Sequence, residues 1–381
     1  MRAVIAAGGT AGHINPALSI ADEIKKNEPD SNIIFIGRED GMEAKLVPSR
    51  GYKIKYEEIH GFERKISFSG FLFNLRSCWF ILSSTFHMNR FYKEFKPDIV
   101  IGCGGYISGP VVRSAASAGI PTAIHEQNSF PGVTTRLLAK KVDRIFTAND
   151  DARKALGYPG KTTVVGNPIS DKIGNISREE ARDKLGIGRD MTCILSFGGS
   201  LGAETINKIM IEVFSRCLDR KDLYFIHASG GMDEGEFDQA VADRNLDVSK
   251  LNCRISRYIY DMPYCLAAAD LVVSRAGAST ISELAAAGRA SYLVPSPNVA
   301  ENHQYYNALT LVNCGAAEVE EEKDLLPDQT ALKILDLIEN KDKLKEMGEN
   351  ALTVAALHSA SDMYEGIKEL LKGKNEKNRE K

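Results

Sequence analysis

Short aliphatic and β-branched runs alternate with segments of helical spacing along most of this chain. The runs include Val4–Ala7, Ile33–Ile36, Ile99–Gly102, Thr122–Ile124, Ile145–Thr147, Thr163–Val165, Cys193–Phe197, Tyr224–His227, Leu271–Ser274 and Ala290–Val294. The alternation predicts βαβ units and parallel sheets with helices on both faces, an α/β fold.

A weak internal repeat divides the pattern. Strand Ala3–Ala7 ends in Gly8-Gly9-Thr10-Ala11-Gly12, and strand Thr192–Phe197 ends in Gly198-Gly199-Ser200-Leu201-Gly202. Each pentad enters a helical segment, Pro16–Lys26 in the first half and Glu204–Leu218 in the second. Glycine lets the backbone approach a ligand, and a helix N-terminus presents N–H groups and a positive dipole end, which suit phosphate. The turn Gly166-Asn167-Pro168 marks the boundary, giving domains over 1–167 and 168–349. A closing apolar helix, Ser359 to Leu371 within the segment 350–372, is available to pack back on the first domain. The charged residues 373–381 read as a frayed tail.

Phe71, Leu75, Trp79, Leu82 and Phe86 fall on one helical stripe, with Phe73, Phe80 and Ile81 off it. One reading is an ordinary buried helix. The other is an apolar membrane patch (Phe71, Phe73, Trp79, Phe80), with Arg64, Lys65 and Arg76 meeting anionic headgroups. Asn74 and Arg76 interrupt the segment, and no run reaches the roughly 18 apolar residues of a spanning helix.

Composition narrows the class. A chain of 381 residues fits two domains. A net charge of −3 supplies no broad basic field, so no nucleic-acid partner is expected. Seven scattered cysteines, odd in number and without a CxxC pair, indicate reduced thiols rather than a disulfide frame or a zinc site. The N-terminus runs straight into a glycine turn and does not read as a signal peptide.

The candidate chemistry follows the strands. Gly8–His13 is not the dinucleotide fingerprint, which needs GxGxxG and an acid after the second strand; here that strand ends Ile36-Gly37-Arg38. His13 serves as a general base, as an anion donor or as a structural cap. In Gly198–Asn207 the same turn, with the Ser200 hydroxyl, suits a pyrophosphate. Thr280-x-x-Glu283 in the loop Ser274–Gly288 fits a capping box; its alternative is a carboxylate for a ribose diol. Gln304, in the polar loop Pro295–Ala308, both donates and accepts, which suits a uracil or sugar edge. Gly102–Pro110 and His125–Gly132 also follow strands. Gly104, Gly105, Tyr106, His125, Gln127 and Asn128 therefore crowd one sheet edge.

Taken together and in order, GGTAGH, GGY, HEQN, GNP, GGSLGA, SRAGASTISEL and HQYYNA resemble the MurG family of bacterial N-acetylglucosaminyltransferases, over nearly the whole chain. The resemblance implies a GT-B architecture, two Rossmann-like domains across a cleft. It implies transfer of N-acetylglucosamine from UDP-GlcNAc to a polyprenyl-pyrophosphate-linked muramyl-pentapeptide, at the cytoplasmic face of the cell membrane. Donor contacts are implied at Thr10, Ala11, Gly12, Asn128, Ser200, Ile259, Ala278, Ser279, Thr280, Ile281, Ser282, Glu283 and Gln304. Glu283 then holds the ribose, against the capping reading. His13 and Tyr106 fall on the acceptor side, with Gly104, Gly105, His125 and Gln127. Peripheral association with anionic inner-leaflet lipids is implied, which favours the membrane reading of Phe71–Phe86, and cell-wall synthesis and division proteins are candidate partners. Where some members carry a donor-binding arginine after GNP, this chain has Ser170, which supplies no charge; Ala11 stands where glycine is common.

The expected chemistry is an in-line displacement at the anomeric carbon. It needs one base, His13, with His125 as a second imidazole on the same edge. No DxD motif is present, so no dedicated metal site or cofactor is expected, and the 198–202 amides take the leaving charge. The 8–12 turn is then suited to the acceptor's diphosphate. Three rivals remain: a UDP-GlcNAc 2-epimerase or another GT-B glycolipid synthase, an NAD-dependent oxidoreductase, and a non-catalytic sugar-nucleotide-binding partner. The missing fingerprint and acid argue against the oxidoreductase.

Overall fold

The computed structural model describes residues 1–59, 83–199, 201–231, 235–299 and 302–379. The Phe71–Trp79–Phe80 patch and Ser200 lie outside them. The chain divides into two compact units, Met1–Ile169 with His358–Lys381, and Ser170–Leu357.

The first unit runs β1 (Arg2–Ala6), α1 (Ala11–Asn27), β2 (Asn32–Gly37), α2 (Glu43–Ser49), β3 (Lys53–Tyr56) and a helical stretch described over 83–95, α3. It continues with β4 (Ile99–Gly102), α4 (Ser108–Ser117), β5 (Thr122–Glu126), α5 (Val133–Ala139), β6 (Arg144–Thr147), α6 (Asp150–Leu156) and β7 (Thr162–Val164). The strands form one parallel sheet in the order β3-β2-β1-β4-β5-β6-β7. Strand side chains alternate between the two faces, and both faces are covered. Ala3, Ile5 and Ala7 pack with Ile14, Leu18 and Ala21 of α1. Val4 and Ala6 pack with Val111, Val112 and Ala115 of α4. Coverage on both sides explains why these runs are apolar at successive positions.

The second unit runs α7 (Arg178–Leu185), β8 (Thr192–Phe197), α8 (Glu204–Arg216), β9 (Leu223–Ala228), α9 (Glu236–Asp243), β10 (Cys253–Ser256), α10 (Met262–Ala268) and β11 (Leu271–Ser274). It closes with α11 (Ala278–Ala287), β12 (Ala290–Leu293), α12 (His303–Val312), β13 (Ala317–Val319), α13 (Pro327–Glu339) and α14 (Lys341–Leu352). Its parallel sheet has the order β10-β9-β8-β11-β12-β13. The core sets Ile194, Val273 and Tyr292 against Ile209 and Phe214 of α8 and Ile334 and Leu337 of α13. Asp270 ties the amino end of β11 to the neighbouring Cys193 N–H and to the buried guanidinium of Arg182.

All ten runs read as strands are strands. The three they miss, β3, β10 and β13, lie at sheet edges, where one side meets water and polar residues are tolerated. Two helices depart from expectation. α1 begins at Ala11, not at Pro16: the Thr10 carbonyl already accepts from His13 and Ile14, and Pro16 forgoes only the bond to the Gly12 carbonyl. The last helix, α15 (Ser359–Arg379), does not fray after Leu371. It lies in the first unit, where Met363, Tyr364 and Ile367 are buried against the α1 face of the sheet. Lys374 pairs with Asp143, and Lys368 with Glu28 at the end of α1. Burial alone would raise the Glu28 pKa, but hydrogen bonds from Lys368, the N-terminal ammonium and Tyr364 outweigh it and hold the carboxyl at about 2.

Candidate functional site

Strand order reverses between β1 and β4 in the first sheet, and between β8 and β11 in the second. Loops leaving the carboxyl ends of such strand pairs diverge and open a crevice. The predicted residues gather at these two places.

In the first unit, His13 sits in the first turn of α1, facing the loops after β4 and β5. Its Nδ1 lies 3.2 Å from Oε1 of Gln127. Gly104 and Gly105 adopt φ of +90° and +74°, and a Cβ would stand 2.5 Å from His13 Nδ1 at Gly104 and 2.4 Å from the Gly8 carbonyl oxygen at Gly105. The two turns therefore meet backbone to backbone, and only glycine fits. Tyr106 accepts a hydrogen bond from Arg38 Nη1 at 2.9 Å. Glu126 shapes the next loop, its two oxygens accepting from the Asn128 N–H and side-chain amide and from the Gly132 N–H. His125 is buried, its Nε2 2.9 Å from the Gly166 carbonyl oxygen and its Nδ1 3.1 Å from Gln127 Nε2. Burial pulls its pKa down to about 4. Of the two imidazoles on this edge, His125 is enclosed and its burial favours the neutral ring.

In the second unit, α8 starts after the 198–202 turn with Ala203 at its N-cap, so no cap side chain occupies its first amides. Ala278, Ser279 and Thr280 form the first turn of α11, whose N-cap, Gly277, has no side chain to offer. Because α11 starts at Ala278, Thr280 is its third residue and the capping box does not form. Glu283 therefore has no capping role. Its carboxylate makes no hydrogen bond or ion pair with any described residue, and burial pushes its pKa up to about 7. Ile281 is buried, and Ser282 Oγ bonds the Ala278 carbonyl. Ile259, after β10, buries its side chain. Gln304 Oε1 accepts from the Ser296 N–H at 2.9 Å. That bond fixes the amide's orientation and uses one of the two lone pairs of Oε1. Ser170 begins this unit; its hydroxyl accepts from the Lys172 N–H at 3.5 Å. No group of three His, Cys, Asp or Glu side chains suited to a metal is found among the described residues.

Comparison with known proteins then decides the family. Residues 3–147 match the glycosyltransferase family 28 N-terminal domain, and residues 193–369 match the glycosyltransferase family 28 C-terminal domain. The chain is 43% identical to the UDP-N-acetylglucosamine--N-acetylmuramyl-(pentapeptide) pyrophosphoryl-undecaprenol N-acetylglucosamine transferase of Acetivibrio thermocellus, over 98% of this chain and 99% of that one. The chain belongs to the MurG family of glycosyltransferases.

The crystal structure of Acinetobacter baumannii MurG superposes with a TM-score of 0.73 at 26% identity, covering 97% of this chain and 99% of that one. The two parallel-sheet units make a GT-B-like two-domain architecture. A UDP-GlcNAc 2-epimerase from Neisseria meningitidis, solved with UDP-GlcNAc bound, superposes with a TM-score of 0.66 over 97% of this chain and 100% of that one. Its identity is 15%, a likeness of fold alone.

Three residues at these edges carry no sequence signal of their own. Glu43 is buried beneath the first glycine turn, where Oε2 accepts from the Gly9 N–H at 3.3 Å and Oε1 from the Arg38 N–H at 3.0 Å. The Gly9 amide is thus taken by an internal carboxylate. Arg38, on the Tyr106 hydroxyl, brings positive charge to the same edge. Arg275 bonds the Val294 and Pro295 carbonyls and pairs with Glu322, which also accepts from Thr205 of α8. Glu43 and Arg38 stand outside any motif and Arg275 lies within one, but all three look like ordinary charges until their neighbours are known.

Proposed function

We propose that this protein transfers N-acetylglucosamine from UDP-GlcNAc to the C4 hydroxyl of the muramyl sugar of a polyprenyl-pyrophosphate-linked MurNAc-pentapeptide, with inversion, in peptidoglycan synthesis. The observation that carries the reading is the end-to-end match to a transferase of that name, at 43% identity over 98% of this chain. The motifs shared with the family lie on the loops at the two sheet edges described above.

The acceptor oxygen attacks the anomeric carbon while the bond to UDP breaks on the opposite face. The hydroxyl proton passes to His13. The open amides at the start of α8 and the dipole of that helix stabilise the pyrophosphate that leaves. Glu283 accepts from the ribose hydroxyls, and Gln304 Nε2 donates to the base or sugar. These roles need no resident metal or cofactor. A lipid-linked acceptor places the reaction at the cytoplasmic face of the bacterial membrane, with the Phe71–Phe86 segment against anionic lipid. No described helix is long and apolar enough to cross a membrane.

Release of UDP by purified protein tests the reading. It is expected only when the lipid-linked acceptor is added. Turnover of UDP-GlcNAc to another free sugar nucleotide without acceptor points to the epimerase instead. Charged residues at Phe73 and Phe80 are expected to release the protein from anionic vesicles while donor binding persists. Undiminished vesicle binding places the membrane surface elsewhere.

A further inference from the structure

A chain of hydrogen bonds leads from the interior of the first unit to His13, and each link has a defined polarity. The Gly166 carbonyl can only accept, so His125 Nε2, 2.9 Å away, carries the ring proton. Burial keeps that ring uncharged at neutral pH. The Gly166 carbonyl and the Glu126 carboxylate oppose the shift, and His13 adds to it. His125 Nδ1 is then an acceptor. Gln127 Nε2 lies 3.1 Å from that nitrogen and 2.9 Å from the Cys103 carbonyl oxygen. Both partners demand a donor, and an amide NH2 has two hydrogens to give. The orientation of the Gln127 amide is thereby fixed, with Oε1 turned toward His13. An amide oxygen only accepts, so His13 Nδ1 carries a proton, and in the neutral ring Nε2 holds the lone pair. Gln127 is itself buried, and the absent Cβ of Gly104 leaves the approach to His13 Nδ1 clear.

We propose that Gln127 is a positioning residue for the base: it holds His13 in the Nδ1–H tautomer, through a polarity relayed from His125, so that Nε2 takes the acceptor's proton. The inference deepens the reading of His13 as base and rests on it. In the step, the acceptor O–H bond breaks as its oxygen bonds the anomeric carbon. The proton moves to Nε2, and the electron pair of the anomeric C–O bond leaves with UDP. The resulting imidazolium keeps its Nδ1–H on Gln127 Oε1 and returns the Nε2 proton to solvent. A neutral amide in this place orients the ring without the upward pull on its pKa that a carboxylate exerts.

The test uses full-length protein with 15N-labelled histidine. At neutral pH the His13 signals are expected to show a protonated Nδ1 and an unprotonated Nε2, and Gln127→Leu is expected to shift the ring toward the Nε2–H form. In the same variant kcat is expected to fall about tenfold to a hundredfold, with KM for UDP-GlcNAc within about twofold of the parent. Gln127→Glu is expected to raise the acid limb of the kcat–pH profile by about one pH unit or more. A merely structural glutamine lowers the melting temperature and moves neither the tautomer nor the limb. If Gln127→Leu does not fold, Gln127→Met supplies the same comparison. His13→Ala separates the two claims. Full turnover in that variant removes the base and this inference with it. Lost turnover in His13→Ala, beside parental kcat and tautomer in a folded Gln127→Leu, overturns the positioning role alone.

Discussion

Glu283 is a residue whose folded environment opposes its charge. It lies half-buried on α11 without a partner among the described residues, and its pKa rises from 4.5 to about 7. The folded protein therefore holds this proton more tightly than the unfolded chain does. Stability is fully present below about pH 4.5 and declines as pH rises through about 7. Glu283→Gln is accordingly expected to stabilise the ligand-free protein at pH 8 by about 1–2 kcal/mol after solvent screening, and to change little at pH 4.5. Thermal unfolding at the two pH values measures this. Calorimetric titration of the same variant at pH 8 is expected to show weaker UDP-GlcNAc binding. Equal affinity would return Glu283 to a bystander. An unpaired carboxylate that harms stability and awaits hydroxyl donors is the kind of local conflict expected at a binding site.

At the scale of the element, α15 shows how a helix outside the repeating βα pattern is secured. Its apolar stripe fills the α1 side of the first sheet, and its charges reach Glu28 and Asp143. Gly366 permits this approach: a Cβ there would stand 2.7 Å from the Phe146 ring. Alanine is the better helix former by about 1 kcal/mol, yet Gly366→Ala is expected to destabilise the protein by about 1–3 kcal/mol, because an aromatic ring packed on β6 has nowhere to move. Denaturant unfolding decides the sign; a stabilised variant would mean the ring yields. The same tension between local propensity and packing governs α1. Pro16 predicts a helix start, whereas Thr10 supplies the carbonyl that begins the helix five residues earlier.

For the molecule as a whole, the second unit is one uninterrupted segment and the first is assembled from both ends of the chain. Removal of residues 358–381 strips Met363, Tyr364 and Ile367 from the first core, each worth about 1.5–3 kcal/mol of burial. Calorimetry of that truncation is expected to show the transition of the first unit lowered and that of the second unchanged. UDP is expected to raise the second transition in both proteins. A fall in both transitions would mean that the units unfold together. The amino-acid sequence alone determined the α/β alternation, the two glycine turns and the segments that carry His13, Tyr106, Gln127 and Glu283. Strand periodicity and turn chemistry depend on residues a few positions apart, so they survive without the fold. The tertiary structure decided which groups surround those residues. His13 and Gln127 are 114 positions apart, Gly9 and Glu43 are 34 apart, and Glu28 and Lys368 are 340 apart. Hydrogen-bond polarity and desolvation act over a few ångströms of space, and no local pattern encodes which distant segment will supply them.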